Sequence, residues 1–251
     1  MRNFVRMPHL PQKANALILG EKYAEILQKY LEKHDIRPIF VPSNPSVDKR
    51  LSGHADLSVF HAEGEKIFLA PYLRESAFAE IIRDIGGEIS FIEVKQNQNY
   101  PNDAQLNAAV IGKHLIYSPK VISSEIVNFL TFRGGQLIPV RQAYAKCNIC
   151  VVDANSIITA DRGIAKAAEA AGLQVLLITE GYVDLPGFPY GFIGGASFRL
   201  STHAMAFTGV LDSHPDKAKI LAFLNSRDME PIYLTDRRIF DIGSAFPITE
   251  A

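Results

Sequence analysis

The chain has 251 residues, 47% of them hydrophobic, with 26 Lys and Arg against 27 Asp and Glu. That length suffices to bury a large core in one domain covering residues 1–251, and the balanced charge excludes a net field drawing the molecule to nucleic acid or an anionic membrane. No apolar run approaches the roughly 20 residues that span a bilayer, the N-terminus lacks a signal-peptide apolar stretch, and two cysteines are too few for a disulfide framework; a cytoplasmic protein is expected.

In chain order, Asn15–Gly20 predicts a strand, Tyr23, Ile26, Leu27, Tyr30 and Leu31 give a helix its apolar face, and Pro38–Val41 predicts a second strand. A linker over residues 42–50 follows, extended by its two prolines. The stretch Gly53–Val94 then carries a fuller pattern: a strand over Asp56–Phe60, a turn at Glu63–Lys66, a strand over Ile67–Ala70, a helix faced by Phe78, Ile81, Ile82 and Ile85, a Gly86-Gly87 stop, and a strand over Ile89–Val94.

The same order recurs three more times. Leu106–Ile111, Leu115–Tyr117, a helix over Ser123–Phe132, Gly134-Gly135 and Leu137–Val140 form the third unit. Ile149–Val152, Ile157–Thr159, a helix over Ile164–Ala171, Gly172 and Val175–Ile178 form the fourth. Gly194–Leu200, Ala204–Phe207, a helix carrying Ile220, Leu221 and Leu224, and Pro231–Leu234 form the fifth. The second strands begin at Leu17, Ile67, Leu115, Ile157 and Met205, at intervals of 50, 48, 42 and 48 residues. So steady a period indicates repeated units rather than an ordinary doubly wound sheet. The first unit lacks its opening strand, and Ile239–Ile248 is a strand without a helix after it. Five strand-strand-helix-strand units, their ring closed by the C-terminal strand, account for both.

Several residues invite chemistry. Cys150 lies between Ile149 and Val151 in an apolar strand, which reads as core, and Cys147 with Cys150 as a metal site is weak, because one CxxC supplies two of the usual four ligands. No metal and no cofactor are predicted. His54 and Asp56 fall on one face of their strand and His61 on the other, so the three do not form one set. Gly191–Gly195 lacks the helix-opening context of a nucleotide loop and reads as a close backbone approach.

Five such units resemble the pentein fold, an α/β propeller, of the guanidino-group-modifying enzymes: arginine and agmatine deiminases, dimethylarginine hydrolases and amidinotransferases. The segment Ser52–His61 resembles that of a small group of bacterial members of this superfamily. The resemblance implies that the openings of the first strands converge on a central channel, at His54 and Asp56, Asp103 and Asn107, Cys147–Cys150, Gly194–Ser197 and Asp241–Ser244. It implies ligand-binding roles for His54, Asp56, Asp103, Asn107 and Asp241, the acids pairing with a guanidinium. The family's thiol nucleophile belongs in the C-terminal strand, where this chain has Asp241–Pro247 without a cysteine, and its His belongs in the fifth unit, where Gly194–Phe198 has none. Cys150 and Ser244 are then the candidate nucleophiles, and Ser244 has no His close in sequence to serve as its base.

Three functions follow from this reading. The first is a diverged member binding a small cationic or polar ligand in the channel; the second is an arginine-like amidino hydrolase with a relocated nucleophile. The third is a non-catalytic macromolecule-binding protein, as in the ribosome anti-association factor, whose fold is similar; the neutral composition gives it no RNA-binding signal.

Overall fold

The computed structural model describes residues 3–94 and 99–251. Its strands form five small sheets. In the first, β1 (Asn3–Phe4), β2 (Ala14–Gly20) and β3 (Arg37–Val41) are joined by the C-terminal strand, with helix α1 (Ala24–Lys33) crossing over between β2 and β3. The second holds β4 (Val59–Glu63), β5 (Lys66–Leu69), α2 (Ala77–Asp84) and β6 (Glu88–Phe91). The third holds β7 (Ala109–Ile111), β8 (His114–Tyr117), α3 (Ser124–Phe132) and β9 (Gln136–Pro139). A single-turn helix α4 (Ala145–Asn148) opens the fourth, followed by β10 (Ile149–Asp153), β11 (Ser156–Thr159), α5 (Arg162–Ala170) and β12 (Gln174–Leu177). The fifth holds β13 (Ser197–Ser201), β14 (Ala204–Phe207), α6 (Lys217–Asn225) and β15 (Glu230–Tyr233), and β16 (Phe246–Glu250) ends the chain.

The second to fifth repeats build themselves the same way. The first two strands pair antiparallel through a tight turn, and the second pairs parallel with the third across the helix. Local chemistry marks the ends: the Ser76 hydroxyl accepts from the Ala79 amide to start α2, Asp161 accepts from the Ile164 amide to start α5, and Gly86 and Gly172, at φ +99° and +86°, carry the chain out of these helices. The core lies between sheets. Ile39 and Val41 of β3 share a cluster with Phe78, Ala79 and Ile82 of α2 and with Ile67 and Leu69 of β5. Full burial of a side chain such as Ile82 contributes about 1.5–3 kcal/mol, so neighbouring repeats stabilise each other where neither could bury its apolar face alone.

The spare strand does what the repeat count requires. β16 pairs antiparallel with β2, Phe246 opposite Ile18, and takes the place the first repeat leaves vacant; its other edge pairs with β1. It is shorter than the predicted Ile239–Ile248, because residues 239–245 run as irregular backbone.

The opening strands predicted from Asp56, Leu106 and Gly194 start too early, whereas β10 begins at the predicted Ile149. Ala55–Leu57, Asn102–Ala104 and Gly194–Ala196 are short 3-10 turns and Ala145–Asn148 is a helical turn, each placed ahead of its strand. Three or four residues are too few to show helical periodicity, and their small and apolar side chains mimic an alternating strand. The consequence is functional: His54 and Asp56 are not strand neighbours sharing a face, and the side chains of these turns are aimed by helical geometry.

Candidate functional site

The opening segments of all five repeats are tied together by hydrogen bonds. The Asp56 amide donates to the Gly243 carbonyl at 3.0 Å, and the Ile242 and Ser244 amides donate to the Gly195 carbonyl at 3.0 and 3.1 Å. Asn107 Oδ1 accepts from the Lys146 and Cys147 amides at 2.7 and 3.3 Å, which caps the short helix α4 from another repeat. Lys146 Nζ reaches across to the Gly194 carbonyl at 3.1 Å.

Inside these segments lies a polar cluster almost without solvent contact. Asp56 is 0% exposed and Ser244 0% exposed, with His54, Lys146, Cys147 and Asp241 at 3% or less. Asp56 Oδ2 accepts from Cys147 Sγ and from Ser244 Oγ, both at 2.8 Å, and Lys146 Nζ donates to Ser244 Oγ at 3.0 Å. Lysine, serine, aspartate and cysteine thus form one continuous chain of hydrogen bonds. Asp241 is held differently: Oδ1 accepts from the Gly243 amide at 2.8 Å and Oδ2 from the Phe192 amide at 2.9 Å. Ligand atoms of His54, Cys147 and Asp241 all lie within 4.8 Å of one another.

Glycine makes that packing feasible at two positions. A Cβ on Gly195 would stand 1.9 Å from Asp241 Oδ1, and one on Gly243, at φ +67°, would stand 2.2 Å from His54 Cβ. Ser244 follows at φ +69°, a left-handed conformation costing a non-glycine residue roughly 1–2 kcal/mol. Such strain persists where surrounding contacts over-determine it, here the bonds to Asp56 and Lys146.

Burial sets the protonation behaviour. It lowers His54 to about 4, with Asp56 opposing, and raises Asp241 to about 6 against the pull of its two backbone amides. Asp56 is raised by burial, opposed by His54 and the Cys147 hydrogen bond, and Lys146 is lowered by burial. The Cys147 thiol is pushed well up by burial and by Asp241 and Asp56, which makes it a thiol hydrogen-bonded to a carboxylate rather than a standing thiolate. Three buried atoms of the site have no hydrogen-bond partner among the described residues: His54 Nε2, Asp56 Oδ1 and Asn107 Nδ2. Each such atom costs about 1–3 kcal/mol, a cost that a bound group recovers.

The residues singled out from sequence divide accordingly. His54, Asp56, Asp241 and Ser244 meet in the cluster, and Asn107 supports it through α4. Asp103 is buried beside it, Oδ2 accepting from the Tyr144 hydroxyl at 2.6 Å. Cys150 stands apart: it is packed with Val152, Ile158 and Phe207, its Sγ 3.9 Å from Met205 Sδ. Lys146 was not singled out in the sequence reading, and Cys147 was weighed there as half of a CxxC pair and as a channel position, not as a nucleophile. Their signal was positional, since they occupy in the fourth repeat the place that Asp56 occupies in the second. His61 lies apart in β4, with Nε2 2.7 Å from the Gly64 carbonyl.

The geometry defines a mixed α/β repeat protein with a buried acid, thiol and lysine cluster where its repeats open. That fold is shared with guanidino-modifying enzymes. An agmatine deiminase from C. jejuni with substrate bound superposes at TM-score 0.59 and 9% identity, covering 99% of this chain and 96% of that one. An inosamine-phosphate amidinotransferase from Streptomyces griseus gives 0.59 at 11% identity over 100% and 98%, and a DDAH from Pseudomonas aeruginosa complexed with citrulline gives 0.52 at 13% over 93% and 96%. The mixed α/β fold thereby matches pentein structures. The chain itself belongs to DUF6873, a family of unknown function, whose profile matches residues 18–246. No curated protein matches the sequence. Among the described residues, no helix is long and apolar enough to cross a membrane.

Proposed function

We propose that the cluster binds a small cationic ligand of the amidino class, held by Asp56, at the axis of a single-domain five-bladed α/β propeller closed by β16. One observation carries this reading: Asp56 is wholly buried, its Oδ2 accepts from Cys147 and Ser244, and its Oδ1 has no partner among the described residues. A carboxylate with an unused oxygen in a dry site is matched by the paired N–H groups of an amidinium or guanidinium. The fold shared with proteins acting on such groups supports the choice, as does the pairing of β16 with β2. Entry of the ligand requires the segments over the cluster to part. Thermal stabilisation by arginine, agmatine or a methylarginine, abolished in Asp56→Asn, is the expected result. If no compound of a broad cationic panel moves the melting temperature of the native protein, the reading fails.

A catalytic variant of the same reading is favoured by the position of Cys147. Its sulfur faces the cluster, with Asp56 Oδ2 at 2.8 Å to take the thiol proton as sulfur attacks the amidino carbon; that proton passes to the departing nitrogen as the C–N bond breaks, and water then hydrolyses the S-amidino adduct and restores the thiol. Release of citrulline, urea or ammonia that vanishes in Cys147→Ser and survives in Cys150→Ser would establish it; release that survives in Cys147→Ser would assign the nucleophile elsewhere.

A further inference from the structure

We infer that His54, Cys147 and Asp241 form a site for a borderline-soft divalent cation, Zn2+, buried between the openings of three repeats. One imidazole nitrogen, one thiol sulfur and one carboxylate oxygen lie within 4.8 Å of one another, so that small side-chain shifts bring all three to the about 2.0–2.3 Å bond lengths of a single ion. This mixed N, S and O set suits zinc and excludes magnesium or calcium, which take oxygen ligands.

Independent observations point to a ligand there. His54 is buried at 3%, and its Nε2 has no hydrogen-bond partner among the described residues. A buried imidazole nitrogen without a partner is the exception in folded proteins, and histidine is the commonest metal ligand, binding as the neutral imidazole. The other two donors are oriented. Asp241 is fixed by the Gly243 and Phe192 amides, the kind of supporting bond that holds a ligating carboxylate in place. The Cys147 amide, with that of Lys146, is capped by Asn107, which fixes the turn carrying the thiol. Glycines at 195 and 243 leave room for the carboxylate and the imidazole to sit against bare backbone.

The proton balance closes within the site. Zinc takes a thiolate, so Cys147 gives up its proton as the Zn–S bond forms, and Asp56 Oδ2, 2.8 Å from that sulfur, receives it. The ion gains two negative ligands and a neutral imidazole. Three protein donors leave the fourth tetrahedral position open, the arrangement of zinc sites that handle an exchangeable ligand. The inference does not depend on the amidino reading, since its probe is the metal alone.

The test uses Co2+ as a spectroscopic stand-in for zinc. Protein produced in cobalt-supplemented medium, and purified protein titrated with Co2+, should both show one ion per chain with a thiolate-to-cobalt absorption band that Zn2+ displaces. Cys147→Ser should lose the band, His54→Ala should weaken binding at least tenfold, and Cys150→Ser should keep both band and stoichiometry. Circular dichroism of each variant confirms its fold, and only folded variants are compared. Absence of stoichiometric metal by both routes, or a band that persists in folded Cys147→Ser, overturns the proposal.

Discussion

Cys147 donates its thiol proton to Asp56 Oδ2 across 2.8 Å, although the two residues are 91 positions apart. A buried hydrogen bond to a charged acceptor is worth about 1.5–3 kcal/mol. A double-mutant cycle between Cys147→Ala and Asp56→Asn should therefore show a coupling energy of about 1 kcal/mol or more, read from urea midpoints at constant slope. The parallel cycle between Cys150→Ala and Asp56→Asn should be additive, because Cys150 packs against Met205 in a separate apolar cluster. Equal coupling in both cycles would remove the thiol from the site.

Ser244 combines a strained backbone with hydroxyl contacts to Lys146, Asp56 and the Gly194 carbonyl, and two substitutions separate these effects. Ser244→Ala loses the hydroxyl that links Lys146 to Asp56 and keeps the unfavourable φ of +69°. Ser244→Gly loses the same hydroxyl and relieves the strain. Alanine should destabilise more than glycine by about 1 kcal/mol, the reverse of their order in an ordinary helix or strand. Thermal denaturation at fixed pH measures the difference, and alanine at or above glycine in stability would contradict the backbone geometry.

His61 supplies a pH dependence that can be isolated. Burial lowers it from 6.5 to about 4, opposed by the Gly64 carbonyl. The unfolded chain thus gains a proton below pH 6.5 that the folded chain refuses until about 4. Stability attributable to His61 is complete above 6.5 and falls as pH drops toward 4, by roughly 3 kcal/mol over that window. His54 acts in the same sense, whereas Asp241, raised to about 6, loses stability as pH rises from 3.8 to 6. The difference between wild type and His61→Gln, whose amide can still meet the Gly64 carbonyl, removes those shared terms. That difference should shrink the acid-side loss; an unchanged slope would mean His61 titrates normally.

Gly243→Ala and Gly134→Ala make a matched pair. Both glycines have positive φ, but an added methyl meets nothing within 4 Å at Gly134 and meets His54 at 2.2 Å at Gly243. Gly134→Ala should cost about 1 kcal/mol of backbone strain, and Gly243→Ala more than ~2 kcal/mol, with loss of the His54 position. Similar melting temperatures for the two would refute the close approach.

The periodicity of apolar residues determined the five repeats, the order of strands and helix in each, and the need for a C-terminal strand to complete the first unit, because these depend on local spacing of apolar and turn residues. The same local logic found His54, Asp56, Asp241 and Ser244 as residues of interest only with the help of a family resemblance. It could not set their geometry. The opening turns are too short to leave a periodic trace, so Asp56 read as a strand residue when it sits on a helical turn. The apolar neighbours of Cys150 marked it as core, but nothing local pointed Cys147 at an acid. Only Asn148 and Ile149 lie between the two cysteines, and tertiary structure sends one into the apolar core and the other to Asp56. Lys146 is the sharpest case: nothing in the sequence around it singled it out, yet it is 3% exposed and bonded to Gly194 and Ser244. Desolvating a lysine is tolerable only where distant segments bring acceptors and carboxylates to it, and that convergence exists in the folded chain alone.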